Sequence, residues 1–343
     1  MKIFHLGCSL LNPIQKGEIA LLHVRAITAD EVTAFAAFGR QSGQVVHDVA
    51  TYLEAMLAKG AMRREWCFVL EKDGAWLGRL AFWTLPGSEV ATDVVLWDVP
   101  WEAADCARLG LALFREACLL MGTQLDGTIG HVVDTPPMTP QWQTHPAKRQ
   151  AVLEAAGFQL SRMTDRFDWH APPDRAQTAL GHSKNSEHEI VYRTMPEVGE
   201  AAFVDAIERV SRFTFDQYIV QERQAKGAAA QAEEMFRDLQ RMAHQPKWWQ
   251  LAYTRDAKLI GLLMPTVSPT YATIGYIGVL PEQRGNGYIH PLLRRATELL
   301  LAAGQTYIRA DTDQQNKPMA HAFLRAGYRP FASRLEYSLV RSP

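Results

Sequence analysis

Arg284-Gly285-Asn286-Gly287 is the stretch of this chain best suited to chemistry. Glycine has no side chain, so at positions 285 and 287 backbone N–H groups can come close to a ligand. The apolar run 277–280 reads as a strand ending at Pro281, and apolar residues recur at helical spacing over 292–300. A helix that starts just after the turn contributes unpaired N–H donors and about half a positive charge. Arg284 contributes a planar, permanently charged fork. Together these make an anion site suited to phosphate. The absence of a Lys-Ser/Thr pair after the glycines argues against a nucleotide-phosphate enzyme using the same loop.

The elements that must position this turn occur twice. Trp66 to Gly78 reads as strand, tight turn and strand, with Asp73-Gly74 supplying two turn residues that tolerate positive φ. Trp249 to Gly261 has the same shape, and the same number of positions separates Trp66 from Trp249 as Gly78 from Gly261. An apolar run then ends at Pro100 in one copy and Pro281 in the other, each followed by a helical pattern. Ala156-Gly157-Phe158 and Ala326-Gly327-Tyr328 close the series, each a helix end capped by glycine before a strand. Three matches in one order predict two copies of a single fold. Each copy reads as strand, one or two helices, hairpin, strand, helix, strand, helix, strand. A long polar helix is expected over 214–243 in the second copy. The polar, Pro-bearing segment around Pro172, Pro173 and Asp174 separates the copies, which places the domains at 1–175 and 176–343.

The bulk composition narrows the partners. A length of 343 residues exceeds what one core usually organises. With 36 Lys and Arg against 37 Asp and Glu, there is no electrostatic case for nucleic acid or an anionic membrane. Cys8, Cys67, Cys106 and Cys118 have neither metal-ligand nor disulfide-framework spacing, which fits a reducing compartment. No stretch is long enough to span a bilayer, and the apolar run before Cys8 is too short for a secretory signal. A cytoplasmic protein without metal is expected, its oligomeric state open.

The turn and its surroundings resemble the GNAT superfamily of N-acetyltransferases. Arg284 to Gly287 stands where that family has its Arg-x-x-Gly loop, and Asn316 followed by Gly327-Tyr328 matches its Asn, helix, Gly-aromatic pattern. The resemblance covers most of residues 188–341 and, more weakly, 22–170. It implies an α+β fold of two tandem GNAT-like domains, each a mixed, mostly antiparallel twisted sheet flanked by helices. It implies acetyl-CoA as co-substrate, held by Gly278, Val279, Leu280, Gln283, Arg284, Gly285, Asn286, Gly287, Tyr288, Ile289 and Asn316. The acceptor it implies is a small-molecule amine. Asp311 and Asp313, at the end of the next strand, are candidates to take the amine's proton or to grip a cationic acceptor, with Glu233, Glu234, His290 and Tyr276 as rivals. Simpler roles compete: Asn316 suits helix capping, and the aspartates suit a solvated turn.

Two positions depart from the family pattern. Ile289 replaces a usual Gly or Ala, and Phe323 replaces a Tyr able to protonate a leaving thiolate. In the first copy Ala103, Ala104, Asp105 and Cys106 replace the whole glycine turn, so a structural copy is expected there. The alternative to an enzyme is a silent coenzyme-binding or scaffolding protein.

Overall fold

A computed structural model describes residues 22–40, 42–172, 190–268 and 271–341. Residues 1–13 with Cys8, and the predicted boundary near 175, lie outside the described residues. Two compact units are formed, and neither is one continuous piece of chain. The first holds the described residues up to Ile129, Thr139–Phe158 and those from Leu339. The second holds Gly130–Met138 and Gln159–Ser338.

In the first unit, β1 (His23–Ala26), β2 (Cys67–Lys72), β3 (Ala75–Trp83), β4 (Ala91–Asp98) and the start of β5 (Leu125–Thr135) lie in that order. Helices α1 (Val32–Ala37), α2 (Gly43–Ala58), α3 (Cys106–Met121) and α4 (Pro146–Ala155) complete it. Asp73 and Gly74 both have positive φ, 52° and 76°, so the β2–β3 hairpin turns where the dipeptide allows it.

The second unit uses β7 (Val191–Thr194), β8 (Gln250–Tyr253), β9 (Leu259–Val267), β10 (Ala272–Val279), β11 (Tyr307–Asp313) and β12 (Arg329–Val340). Its helices are α5 (Glu200–Val210), α6 (Gln217–Lys226), α7 (Ala228–Arg241), α8 (Ile289–Ala302) and α9 (Lys317–Arg325). The helix expected over 214–243 is broken in two at Gly227, whose φ of 87° and ψ of 160° no helix accommodates. Trp66 and Trp249, the first residues of the repeat, are both fully buried. The duplicated sequence therefore packs in a duplicated way.

One strand departs from the expected order. β6 (Gln159–His170), which ends the first copy in sequence, lies in the second unit between β12 and β11. It pairs antiparallel with both, Thr164 facing Asp313 on one side and Arg334 on the other. Phe167 and Trp169 bury one face of β6 in the second unit's core beside Phe323 and Tyr328. Among the described residues no helix is long and apolar enough to cross a membrane.

Candidate functional site

The glycine turn lies in the second unit between β10 and α8. Gly285 and Gly287 have φ of 84° and 76°, values that a side chain would strain, while the space a Cβ would fill is open. Among the described residues, the amides of Gly285, Asn286 and Gly287 have no acceptor. Asn286 points its side-chain amide back at the Gln283 carbonyl, 3.1 Å away. No side chain caps the start of α8, and Pro291 has no N–H to offer. Three free amides at an uncapped helix start form a concave set of donors for an anion. Tyr288 and Ile289 pack inward against the core, so the larger Ile289 is absorbed there.

Arg284 does not extend toward that concavity. Its guanidinium donates to the carbonyls of Val210 (2.9 Å), Arg212 (3.0 Å), Phe213 (3.0 Å) and Val279 (3.2 Å). The first three carbonyls lie at the end of α5 and just beyond it, where helix carbonyls lack partners. The residue expected to grip phosphate thus ties the turn to α5.

Beside the turn the sheet opens. β10 and β11 run parallel but pair only at Ala272 with Ile308 and Thr273 with Arg309. Beyond that point β10 keeps β9 as its neighbour, in antiparallel register from Tyr276 to Val279. The Leu280 amide donates to the Ile260 carbonyl at 2.9 Å. Strand alternation then turns the amides of Val279 and Ile277 away from β9, toward the gap. One expectation changes here. Leu280 has no amide to give a ligand, because Ile260 holds it. Gly278 also serves packing: a Cβ there would meet Val210 at 2.2 Å.

Asp313 is 3% exposed, and both its oxygens accept backbone amides, from Gln217 at 3.0 Å and Gln315 at 2.8 Å. It anchors the start of α6 to the end of β11 and has little capacity left for proton transfer. Asp311 is more open and pairs with Arg166 at 3.2 Å. Asn316 caps α9 by accepting the Met319 amide at 3.3 Å. Glu233 is exposed and Glu234 half-buried on α7, pairing with Arg237 and Lys226. His290, in the first turn of α8, is held below its ordinary pKa by burial and by Arg325.

The face of β6, β11 and β12 that carries Asp311 holds further charges that no motif announces. Arg162 donates to Asp216 and lies 3.6 Å from Glu336, and Arg166 and Arg334 share Asp134, each at 2.9 Å or closer. Burial pushes the Glu336 carboxyl up, and Arg162 and Arg334 only partly oppose it. Asp216 is raised by burial in the same way, against Arg162. Glu336 and Arg162 come from strands that meet only in the folded chain, so spacing gives no signal for them. Among the described residues no group of three or more His, Cys, Asp or Glu could hold a metal ion.

Residues 213–328 match the acetyltransferase (GNAT) family. Among solved structures, the chain is similar to a GCN5-related N-acetyltransferase from Sphaerobacter thermophilus at 15% identity and a TM-score of 0.56. That match covers 94% of this chain and 96% of the other. It is also similar to a tandem GNAT protein from the clavulanic acid biosynthesis pathway, at 16% identity and a TM-score of 0.45, over 94% and 99% of the two chains. A GNAT-family acetyltransferase from Colwellia psychrerythraea is similar at 12% identity and a TM-score of 0.45, over 92% and 99%. No curated protein matches the chain in sequence. The α+β architecture is that of GNAT acetyltransferases, with a GNAT-like fold in each unit.

Proposed function

We infer, for a chain whose residues 213–328 are GNAT acetyltransferase sequence, that the second unit transfers an acyl group from acetyl-CoA to the primary amine of a small molecule. The observation that carries this reading is the pairing of three unspent turn amides with a sheet that opens beside them. Gly285, Asn286 and Gly287 suit the coenzyme's diphosphate, with Gln283, Tyr288, Ile289 and Asn316 around them. The outward amides of Ile277 and Val279 suit the amide-bearing arm that follows, and can donate to a carbonyl oxygen as charge develops on it. When bound, the thioester supplies an activated acyl carbon.

An amine attacks only when neutral, so its proton must leave. Asp311 and Glu336 are the carboxylates on this face with oxygen capacity to spare, and they would attract the cationic amine. With burial raising its pKa, Glu336 can take the proton. A second reading, a coenzyme-binding protein without turnover, is favoured by Phe323, which has no proton to give.

Calorimetry with coenzyme A, joined to a thiol-release assay with acetyl-CoA over a panel of amines, tests both. Binding with turnover on at least one amine is expected. Binding without turnover on any amine would support the second reading, and no binding would end both.

A further inference from the structure

We propose that Arg309 binds a carboxylate carried by the acceptor, so that the acylated amine belongs to an ω-amino acid; the inference rests on the function above. Arg162, Arg166 and Arg334, on the face beside Asp311, each have a carboxylate within 2.9 Å. Arg309 shares that face by strand alternation with Asp311 and is only 9% exposed, yet it has no carboxylate partner among the described residues. Asp168 stands opposite it on β6, but its carboxylate lies 3.5 Å from the His170 imidazole instead. A buried cation without a counter-charge is costly, and an anion that arrives recovers part of that cost.

Aromatic rings hold the guanidinium while leaving donors free. Its central carbon lies over Tyr271, Phe331 and Tyr307, at 4.5, 4.9 and 5.3 Å from the ring centroids. Nε donates to the Tyr307 hydroxyl at 2.6 Å. Stacking engages the flat faces of the group and none of its N–H bonds. The two terminal nitrogens donate to nothing among the described residues. Nor are they sealed: the shut-in nitrogens without a partner include Nε of Arg162 but neither terminal nitrogen of Arg309. Donors fixed in a plane and open at its edge match the two oxygens of a carboxylate. Arg166 steadies this cage, donating to the Tyr271 hydroxyl at 3.3 Å and lying 5.4 Å from the Phe331 centroid. The same guanidinium pairs with Asp311, so one residue joins the cage to a carboxylate that attracts the amine.

The position of Arg309 sets the length of the acceptor. It pairs with Thr273 at the last point where β10 and β11 join. The Ile277 amide, suited to the reacting carbonyl, comes farther along β10 inside the opening. At about 3.3 Å per residue the two points stand about 13 Å apart, less what the bulge between Thr273 and Tyr276 takes up. A chain of several carbons must therefore separate amine from carboxylate. The single carbon between them in an α-amino acid is too short.

The test is thiol release from acetyl-CoA by the full chain with ε-aminocaproate and with β-alanine, each beside its own carboxamide. Calorimetry with coenzyme A accompanies each protein. With wild type, kcat/KM for ε-aminocaproate is expected to exceed that for its carboxamide by about tenfold or more, the effect of a charged hydrogen bond. The difference should lie in KM, and β-alanine, too short to span both points, should show less than about threefold. Arg309→Gln should bring the ε-aminocaproate ratio toward unity, whereas Arg309→Lys, which keeps the charge but not the fork, should retain part of it. Equal rates on acid and carboxamide with wild type would overturn the proposal and leave the acyltransferase reading intact. So would a ratio untouched by Arg309→Gln in protein that still binds coenzyme A. No turnover on any primary amine would remove that reading, and this one with it.

Discussion

The ends of β4 and β10 show two uses of one backbone plan. In the second unit, β10 ends at Val279, the sheet parts, and a turn with three free amides follows. In the first unit, β4 ends at Asp98, and three arginines close around it. Arg79 lies 2.8 Å from its carboxylate, Arg40 lies 2.7 Å from it, and Arg149 donates to its other oxygen. The guanidinium groups also donate to the carbonyls of Ala36, Trp97, Gln141, Trp142 and Thr144. The following loop differs less: the Ala103 amide bonds to Pro100 as the Arg284 amide bonds to Pro281, but the Cys106 amide bonds to Ala103 where Gly287 has no acceptor. Where one unit leaves the Gly287 amide free and a gap beside its strand, the other spends the Cys106 amide and three arginines on its own chain. A shared fold therefore predicts the opening in outline, and the side chains decide whether it stays open.

The largest test of this contrast is Asp98→Ala. It leaves three buried guanidinium groups without their carboxylate, and removing one partner from such a group costs about 3–5 kcal/mol. Urea denaturation should show that loss, while coenzyme affinity in whatever stays folded should hold. A stability change under about 1 kcal/mol would mean the backbone carbonyls alone satisfy the arginines.

Next is Arg284→Ala, which cuts the tie between the turn and α5. Coenzyme affinity should fall by about 1–3 kcal/mol with the fold kept, through loss of the turn's shape rather than of a phosphate contact. Calorimetry at two salt concentrations separates the causes. A direct ion contact would make the loss strongly salt-dependent, whereas a shape effect would not.

The two units should also answer pH in opposite ways. Burial alone would raise the Asp98 carboxyl, but Arg149, Arg79 and Arg40 overcome it and hold it well below the usual carboxylate range. Its stabilisation is complete above the ordinary value of about 3.9 and is lost only as pH falls through the depressed folded value. Glu336 is raised, so its contribution is complete below the ordinary value of about 4.3 and is lost as pH rises through the folded value. Glu336→Gln should therefore gain stability over wild type as pH increases from 4 toward neutrality, read from thermal unfolding at a series of pH values. An advantage that stays flat over that range would contradict the raised carboxyl.

The smallest expected effect comes from Asp105→Ala. Asp105 stands where the second unit has its glycine turn, and its one ion pair, with Arg108 on the surface, contributes less than about 1 kcal/mol. Coenzyme affinity and turnover should match wild type. A large loss of either would mean that the first unit takes a direct part in the reaction.

Local rules placed much of this molecule in advance. Asp73-Gly74 turns a hairpin, Gly285 and Gly287 take positive φ, and Gly157 and Gly327 follow helices, because those conformations depend on the residue itself. The duplication was legible because each copy repeats those local signals in one order. Three-dimensional pairing decided the rest. β6 entered the second unit because its apolar face matches that core, a fit between strands as distant in sequence as Arg166 and Asp311, 145 residues apart, that no local pattern carries. Arg284 turned to the end of α5, Asp313 became a tether, and Arg162 met Glu336, because each found unpaired carbonyls, amides or charges that exist only once distant elements touch. A sequence specifies which donors and acceptors it owns; packing specifies which of them are left for a ligand.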